Sequence, residues 1–257
     1  MTKASSPTAD DGRQYHLHTK QGDLARHCLL VGSPERAELI ATTMFEQYRL
    51  VADHRGLKSF TGMFEGMPVS VVTVGMGGPA MGIVLKEAVA SGAEYLVRVG
   101  SCSTLLYDAK PGDAAICTGA VRLDGASQNW AMPEFPAIAD ILVTVALIAA
   151  AEQLGIPHHV GIGATTGCFD EGQARSNEDG YIPHWSIQQH EALIRLGVII
   201  YEMENAALFV RAHALRKRPK VGSVCAIFGN RRTDAFRIDG EENAARIALV
   251  ALRALAR

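Results

Sequence analysis

Short β-rich runs alternate with helical stretches along this chain, and that alternation constrains its fold more than any other feature. Runs typical of buried strands occupy residues 28–31, 69–74, 95–99, 114–118, 159–164, 198–201 and 221–228. Helical patterns follow at about residues 34–45, 80–91, 138–154, from 202 onward and at 241–256. Strands that alternate with helices predict an α/β fold, and no repeat or linker divides the chain.

Composition and charge disfavour several classes of protein. Apolar residues make up 48% of the 257 residues, enough for a sizeable core, and the formal net charge of −2 argues against a protein that coats nucleic acid. The basic run 216–220 fits the end of a helix better than a nucleic-acid patch. The longest apolar run, 138–151, is too short to span a bilayer, so we predict no membrane contact.

The cysteines and the N-terminal residues indicate a compartment. The five cysteines are scattered and form no CxxC pair, and neither they nor the His158-His159 pair have the spacing of a metal site. We therefore predict a cytoplasmic protein without a metal. Residues 1–14 are polar and lack the apolar core of a signal peptide, so we expect a flexible leader there.

Glycines directly follow several of the predicted strands. Gly32, the segment 75–78 and Gly100 each come just after such a run. In an open α/β sheet, ligands bind outside the carboxyl ends of the strands. Small residues there allow backbone N–H groups to approach an anion closely, so the glycines predict an anion site at this edge of the sheet.

Two arginines beside these glycines are candidate anion ligands. Ser33 suits a helix N-cap and Pro34 the first helical position, which puts Arg36 in the first turn, where its charge opposes the helix dipole. A bound anion would remove this conflict, although a solvated surface arginine explains the residue as well. Arg98 interrupts a run that a sheet would bury on both faces, so we expect either a structural salt bridge or a phosphate contact shared with Ser101.

Two further motifs have competing interpretations. Residues 75–80 match the dinucleotide pattern GxGxxA, but the next strand carries Arg98 and lacks the terminal acidic residue, which disfavours a Rossmann dehydrogenase. Residues 201–205, Tyr-Glu-Met-Glu-Asn, lie at a strand-to-helix junction. Their two carboxylates either compensate the helix dipole or accept hydrogen bonds from sugar hydroxyls.

Taken in order, these motifs resemble those of the nucleoside phosphorylases with the uridine and purine phosphorylase fold. The segments that carry the resemblance are 32–36 (GSPER), 75–79 (GMGGP), 98–101 (RVGS) and 202–204 (EME). Residues 121–127, 134–137 and 169–175 resemble the uridine branch of the family, and the match covers roughly residues 15–257. The resemblance implies one domain over residues 1–257, with three α/β/α layers around a central mixed, twisted β-sheet.

The resemblance also implies roles for individual residues. Residues expected to bind phosphate are Gly32, Arg36, Arg55, Arg98 and Ser101. Residues expected to bind ribose are His16, Glu202, Met203 and Glu204. Residues expected around the base are Phe169, Gln173, Arg175, Phe228, Gly229 and Arg231. A neighbouring subunit would lend Arg55 and His16, so the smallest active unit would be a homodimer, with a hexamer of three dimers left open.

The activity implied by the resemblance is the reversible phosphorolysis of uridine to uracil and ribose 1-phosphate, as in pyrimidine salvage. The reaction would pass through an oxocarbenium-like transition state without a covalent enzyme intermediate. Inorganic phosphate would be a co-substrate, and no cofactor is expected. The residues expected to carry the chemistry are Arg98, Gln173, Arg175 and Glu204.

Some positions depart from the family pattern. Ser33 stands where many relatives have Asp, Ser103 where many have Gly, and residues 170–171 (Asp-Glu) replace an aromatic-proline pair. Gly56 follows Arg55 where some bacterial relatives have a glutamate that helps to bind a monovalent cation between subunits, so we predict no such cation.

Three other activities are compatible with the same fold. A purine nucleoside phosphorylase is disfavoured because Asn230-Arg231 replaces an aspartate typical of that branch. A nucleosidase that uses water is disfavoured by the full set of phosphate arginines. A nucleoside-binding protein without catalysis would be expected to lack part of the site, and nothing obvious is missing.

Overall fold

A single mixed sheet lies at the centre of the protein, whose computed structural model describes residues 4–5 and 7–256. Its strands are β1 (His27–Val31), β2 (Glu46–His54), β3 (Leu57–Phe64), β4 (Met67–Thr73), β5 (Tyr95–Thr104), β6 (Ala114–Leu123), β7 (Ala137–Ile138), β8 (His158–Thr166), β9 (Ile200–Glu202) and β10 (Lys220–Asn230). The helices are α1 (Pro34–Met44), α2 (Gly78–Ala90), α3 (Ile141–Leu154), α4 (His184–Arg195), α5 (Asn205–Ala214) and α6 (Glu241–Leu255).

The sheet closes on itself around β5. That strand pairs with β1 and β10 in parallel and with β9 antiparallel. From β10 the pairing continues through β6 and β8 to β9, which returns to β5. The antiparallel hairpins β2–β3 and β3–β4 extend the sheet beyond β1 and β4. The mixture of parallel and antiparallel pairs confirms the predicted mixed sheet.

Helices cover both faces of the sheet, so the predicted three-layer α/β/α class is confirmed. Cys28 and Leu30 of β1 point to the face that packs on α2 and α5. Leu29 and Val31 of the same strand point to the opposite face, which packs on α1, α3 and α6. Alternate side chains of a strand project to opposite faces, so a run that is apolar throughout can fill two cores at once.

The N-terminal ends of two helices are stabilised by side chains of the preceding residue. Ser33 is the N-cap of α1, as predicted, and its hydroxyl accepts from the backbone N–H of Arg36 at 3.2 Å. Asp140 caps α3 by accepting from the backbone N–H of Leu142 at 3.0 Å. The helix therefore begins at Ile141, later than the sequence predicts, because residues 137–138 pair with β6 instead.

The largest differences from the sequence prediction lie at exposed or long strands. The prediction missed β2 and β3, and most of β2 is exposed, so its residues carry no apolar pattern. It ended β5 at Val99, whereas the strand continues to Thr104 because β9 and β10 pair with the extension. It also missed α4, and it started α5 near Glu202 although the helix begins at Asn205.

Residues 1–3 and 6 of the predicted leader lie outside the described residues, while Arg13 forms an ion pair with Asp23 at 3.1 Å. The flexible leader and the single domain therefore stay predictions. The basic run 216–220 is not the end of a helix as predicted, because α5 ends at Ala214; its last residue, Lys220, begins β10 and pairs with Asp140 at 2.9 Å. Within the described part of the chain, every helix is too short or too polar to traverse a bilayer.

Gly82 provides a test of the packing between α2 and the loop that carries Trp130. A Cβ at position 82 would overlap the indole ring, so Gly82→Ala should lower the free energy of unfolding by about 1–3 kcal/mol in urea denaturation. Helix propensity alone would give the opposite sign, because Ala is favoured over Gly by about 1 kcal/mol. In a Trp130→Leu background the same substitution should be neutral or stabilising. A stabilised Gly82→Ala single variant would contradict this close contact.

Candidate functional site

A cavity of about 390 Å³ lies at the carboxyl ends of the central strands, where the glycines predicted it. Most of the predicted site residues line it: Gly32, Arg36, Arg98, Ser101, Phe169, Gln173, Arg175, Glu202, Met203, Glu204 and Phe228. They come from segments far apart in sequence, which the strand order brings to one edge of the sheet. The structure does not bring His16, Arg55, Gly229 or Arg231 into this lining.

Arg98 on β5 is a buried cation whose acidic partners are Glu202, at the end of β9, and Glu204, just before α5. Its Nη2 forms an ion pair with Glu204, and its Nη1 lies 3.7 Å from Glu202 Oε2 and donates to Cys225 Sγ at 3.0 Å. Burial alone would lower the pKa of Arg98, but Glu204 and Glu202 outweigh it and hold the pKa well above the ordinary value. Arg98 therefore forms the structural salt bridge that was one of its two predicted interpretations, and the same guanidinium also lines the cavity.

Gly100 is required by the position of this guanidinium. A Cβ at residue 100 would overlap the Nη atoms of Arg98. The residue two positions after the arginine on β5 must therefore lack a side chain. The glycine that predicted an anion site from the sequence thus has a second role, which is to admit the arginine side chain.

Arg36 is also held by a carboxylate, so it is not a solvated surface arginine. Its Nε donates to Glu241 Oε1 at 2.9 Å, and its Nη2 forms an ion pair with the same carboxylate. Its Nη1 donates to the carbonyl oxygen of Val99 at 3.3 Å. Glu241 lies in the first turn of α6, where its charge is favourable to the helix dipole and offsets the unfavourable position of Arg36 on α1.

The two glutamates between the end of β9 and the start of α5, Glu202 and Glu204, have different environments. Glu202 Oε2 accepts from the backbone N–H groups of Glu204 and Asn205 at 2.7 and 2.8 Å, and the Thr165 hydroxyl donates to Oε1. Burial raises the pKa of Glu202 to about 7. Glu204 Oε1 accepts from the backbone N–H of Gly77 at 2.6 Å, while its other oxygen contacts Arg98. Glu202 thus stabilises the start of α5, as expected of a carboxylate that compensates the helix dipole. Glu204 links the start of α2 to β5.

The far end of the cavity is formed by a hydrogen-bonded pair, Gln173 and Arg175. Gln173 is buried, donates from Nε2 to the Thr166 hydroxyl at 2.9 Å and accepts from Arg175 at Oε1. Arg175 donates to the Phe169 carbonyl at 2.6 Å and to Ser103 Oγ at 3.0 Å, and its guanidinium lies 4.0 Å from the centre of the Phe169 ring. Burial and then Arg231 lower the pKa of Arg175 to about 10, so it remains charged at neutral pH.

Arg231 and Gly229 support this end of the cavity from behind. Arg231 was predicted among the residues around the base, but its guanidinium donates to the backbone carbonyls of Gln173 and Ala174 at 2.9 and 3.0 Å. Ala174 has a φ of 52°, so the turn that orients Gln173 is in the left-handed region and needs such support. Gly229 lies behind Ser103, where a Cβ would be 3.0 Å from its hydroxyl oxygen.

His16 and Arg55 lie near each other but outside the cavity lining. The Nδ1 of His16 is 2.7 Å from Glu87, and the neighbouring Tyr15 ring lies 5.8 Å from the Arg55 guanidinium. Arg55 is exposed in the two-residue turn between β2 and β3, where it has a φ of 55° and Gly56 a φ of 77°. Positive φ at both positions is typical of a type I′ hairpin turn, which presents the arginine at the tip of the hairpin.

Several residues of the site had no assigned role in the sequence analysis. They are Cys102, Ser103, Tyr201 and Phe236, which line the cavity, and Glu241, which holds Arg36. Ser103 and Cys102 follow Ser101 on β5, so recognising the full strand would have identified them. Glu241 has no local signal, because it is 205 residues from Arg36 in the chain. No group of three or more potential metal ligands occurs in residues 4–5 and 7–256.

Comparison with known proteins gives a consistent set of relatives. The uridine phosphorylase of Thermococcus kodakarensis is 41% identical over 256 residues, which cover 100% of this chain and 91% of that protein. The uridine phosphorylase of Treponema pallidum is 33% identical, with 94% of each chain covered. The guanosine phosphorylase of Halorubrum lacusprofundi is 29% identical, with 85% of this chain and 84% of that protein covered.

A family model agrees with these relatives. The model described as "Phosphorylase superfamily" matches residues 26–256, a range that includes every strand and helix of the structure. The cavity, its paired arginines and the Gln173–Arg175 pair all lie within the matched range. The chain therefore belongs to the phosphorylase superfamily.

Proposed function

We propose that this protein is a uridine phosphorylase, which converts uridine and inorganic phosphate to uracil and ribose 1-phosphate. The observation that carries the proposal is one cavity with guanidinium groups at both ends: Arg36 and Arg98 at one end, and Arg175 with Gln173 at the other. A phosphorolytic reaction needs an anion site and a site for a departing base on opposite sides of a sugar. The relatives named uridine phosphorylase support the choice of base.

At the first end, Arg36, Arg98, Ser101 and Gly32 bind the phosphate. Both guanidiniums are held by carboxylates before substrate arrives, so their orientation costs little when phosphate binds. Charge-assisted hydrogen bonds from guanidinium to phosphate are strong and directional. The phosphate then serves as the nucleophile and as the counter-charge for the sugar.

At the centre, Met203 and Glu204 hold the ribose. Breaking the glycosidic bond develops positive charge on the sugar, as in other oxocarbenium-like reactions, and the phosphate oxygen attacks the same carbon. Glu204 keeps the hydroxyl groups in position for that attack, which is a proximity effect and not a proton transfer. Glu202 supports Glu204 by accepting from its backbone N–H.

At the second end, Gln173 and Arg175 stabilise the departing base. The bond electrons leave with uracil, so negative charge develops on the ring. Arg175 is charged at neutral pH and Gln173 is fixed by Thr166, so both present donors whose orientation is set in advance. Phe169 and Phe228 supply apolar walls for the planar base.

The charge balance within one subunit supports a contribution from a neighbouring subunit. The guanidiniums of Arg36 and Arg98 contact the carboxylates of Glu241, Glu204 and, at longer range, Glu202. One chain alone therefore offers little net positive charge to a phosphate dianion. We propose that Arg55, exposed at its hairpin tip, supplies that charge to a neighbouring site in a homodimer, with His16 beside it for the ribose. A hexamer of three such dimers is compatible with the same contacts.

A purine substrate is disfavoured because the Asn230 amide is committed to the carbonyls of Leu106 and Ala109, at 3.0 and 2.7 Å. The guanosine phosphorylase relative makes purine nucleosides the necessary comparison in any assay.

No cofactor takes part in the proposed reaction. The free cysteines fit a reducing compartment, so we propose that the enzyme works in the cytoplasm.

The activity itself is tested by uracil release from uridine, with and without inorganic phosphate. We expect release only with phosphate, together with formation of ribose 1-phosphate, because the guanidinium groups at the first end bind an anion and not water. Inosine and guanosine should react far more slowly than uridine. Phosphate-independent release would indicate a nucleosidase, preference for inosine or guanosine would indicate a purine enzyme, and no reaction would contradict the proposal.

Arg175 provides a test of how the base is stabilised. Arg175→Ala should lower kcat for uridine about 10²- to 10³-fold, because a donor aimed at developing charge is lost. The KM for phosphate should change little, since Arg175 is at the opposite end of the cavity. Arg195→Ala, an exposed arginine at the end of α4, is the matched control and should keep the native rate. An Arg175→Ala variant with native kcat would rule out this role.

Shared sites are tested by mixing two inactive variants, Arg55→Ala and Arg98→Ala. In randomly exchanged dimers about one quarter of the sites would combine an intact Arg98 with an intact Arg55 of the other subunit, so activity should recover toward about one quarter of native. Mixing Arg36→Ala with Arg98→Ala is the control and should recover nothing, because both residues act within one subunit. Subunit exchange is verified by labelling. Exchange without recovery in the first mixture would contradict a shared site.

A further inference from the structure

The Ser103 side chain lines the cavity beside Arg175 and several apolar side chains. It lies on β5 in register with Gly229 of β10 and Tyr201 of β9. Its neighbours along the cavity wall include Cys102, Phe228 and Phe236. A hydroxyl in such surroundings is unfavourable unless its hydrogen-bonding capacity is used.

Only part of that capacity is used by the protein. Arg175 Nη2 donates to Ser103 Oγ at 3.0 Å, so the oxygen is an acceptor in this bond. The hydroxyl keeps one proton to donate, and among the described residues the Arg175 contact is its one side-chain hydrogen bond. The proton is therefore available to a molecule in the cavity.

The backbone around Ser103 leaves room for this arrangement. Gly229 lies directly behind the hydroxyl, and a Cβ there would come within 3.0 Å of Ser103 Oγ. A side chain at position 229 would therefore push the hydroxyl from its place. On the other side, Arg175 is itself fixed by the Phe169 carbonyl and by Gln173, so its bond to Ser103 has a defined direction.

We propose that Ser103 is a specificity-determining residue that donates its hydroxyl proton to a carbonyl oxygen of the pyrimidine base. The inference rests on the proposed function and adds a third donor to Gln173 and Arg175. Because Arg175 donates to the serine oxygen, the hydroxyl is polarised and its proton becomes a better donor. Ser103 and Arg175 thus act as adjacent donors, an arrangement that favours a base with a carbonyl oxygen at that position.

The test compares Ser103→Ala and Ser103→Gly with the native enzyme on uridine. Loss of one hydrogen bond should lower kcat/KM for uridine about 3- to 10-fold in both variants, while the KM for phosphate stays unchanged. Equal losses in the two variants would attribute the effect to the hydroxyl, because they differ in the Cβ atom. An unchanged melting temperature would verify that both variants are folded, which is the condition for comparing their kinetics with those of the native enzyme.

Thio-substituted substrates separate a direct contact from an indirect effect on Arg175. A thiocarbonyl is a weaker hydrogen-bond acceptor than a carbonyl. If Ser103 contacts the carbonyl at position 2, the loss of kcat/KM caused by Ser103→Ala should shrink to less than about 2-fold with 2-thiouridine. If Ser103 contacts the carbonyl at position 4, the loss should shrink in the same way with 4-thiouridine. The other thio substrate should show the full loss, like uridine. The same loss with all three substrates would mean that Ser103 acts only by orienting Arg175, and would overturn the inference.

The two proposals fail in different ways. If the native protein does not cleave uridine with phosphate, the proposed function is wrong. If the native protein cleaves uridine but the Ser103 variants match its kcat/KM, the function stands and the role of Ser103 is wrong.

Discussion

The buried ion pair between Arg98 and Glu204 is the interaction on which the rest of the site depends. A guanidinium in the interior of a sheet is strongly destabilising without a partner, and removing one partner of such a pair typically costs about 3–5 kcal/mol. Glu204 fulfils this need and also accepts from Gly77 at the start of α2. Glu202 lies 3.7 Å from Arg98 and accepts from the backbone N–H of Asn205, the first residue of α5. One cation therefore fixes the relative positions of β5, α2 and α5, and the site is assembled before any ligand binds.

The same contacts explain how a strongly charged cavity can exist in a folded chain. Arg36 and Arg98 each have a carboxylate partner, so neither of these charges is buried without an opposite charge beside it. A bound anion must then share these guanidiniums with Glu241 and Glu204. Guanidinium groups suit that sharing because they carry five donors in a planar fork, whereas an ammonium group acts as a single point charge. The incomplete neutralisation of a phosphate dianion by one chain is the physical reason for proposing a shared site.

The sequence was sufficient for the fold class and for most of the cavity, but not for the partners of its charged groups. Residues at the ends of apolar strands, such as Gly32, Arg98 and Ser101, could be predicted because parallel strands bring their carboxyl ends to one edge. The Glu241–Arg36 pair could not, because a contact across 205 residues depends on how α6 packs. Exposed β2 was missed because edge strands lack an apolar pattern, and the bonds from Arg231 to the backbone carbonyls of Gln173 and Ala174 could not be predicted from its motif.

Strand β5 contributes residues to both ends of the cavity, so the length of this strand sets the spacing between the two ends. Arg98 and Ser103, which we propose to contact the phosphate and the base, are five residues apart on one extended segment, so their backbone positions are separated by roughly 16 Å at about 3.3 Å per residue. Because the surrounding strands close into a ring, that segment cannot slide or bend without disturbing its neighbours on both sides. The spacing of these two positions is therefore a property of one stretch of backbone. Inserting or deleting a single residue within it would also exchange the two faces of the strand. Relatives that accept a larger or smaller base would accordingly differ in the side chains along β5, while the length of the strand stays constant.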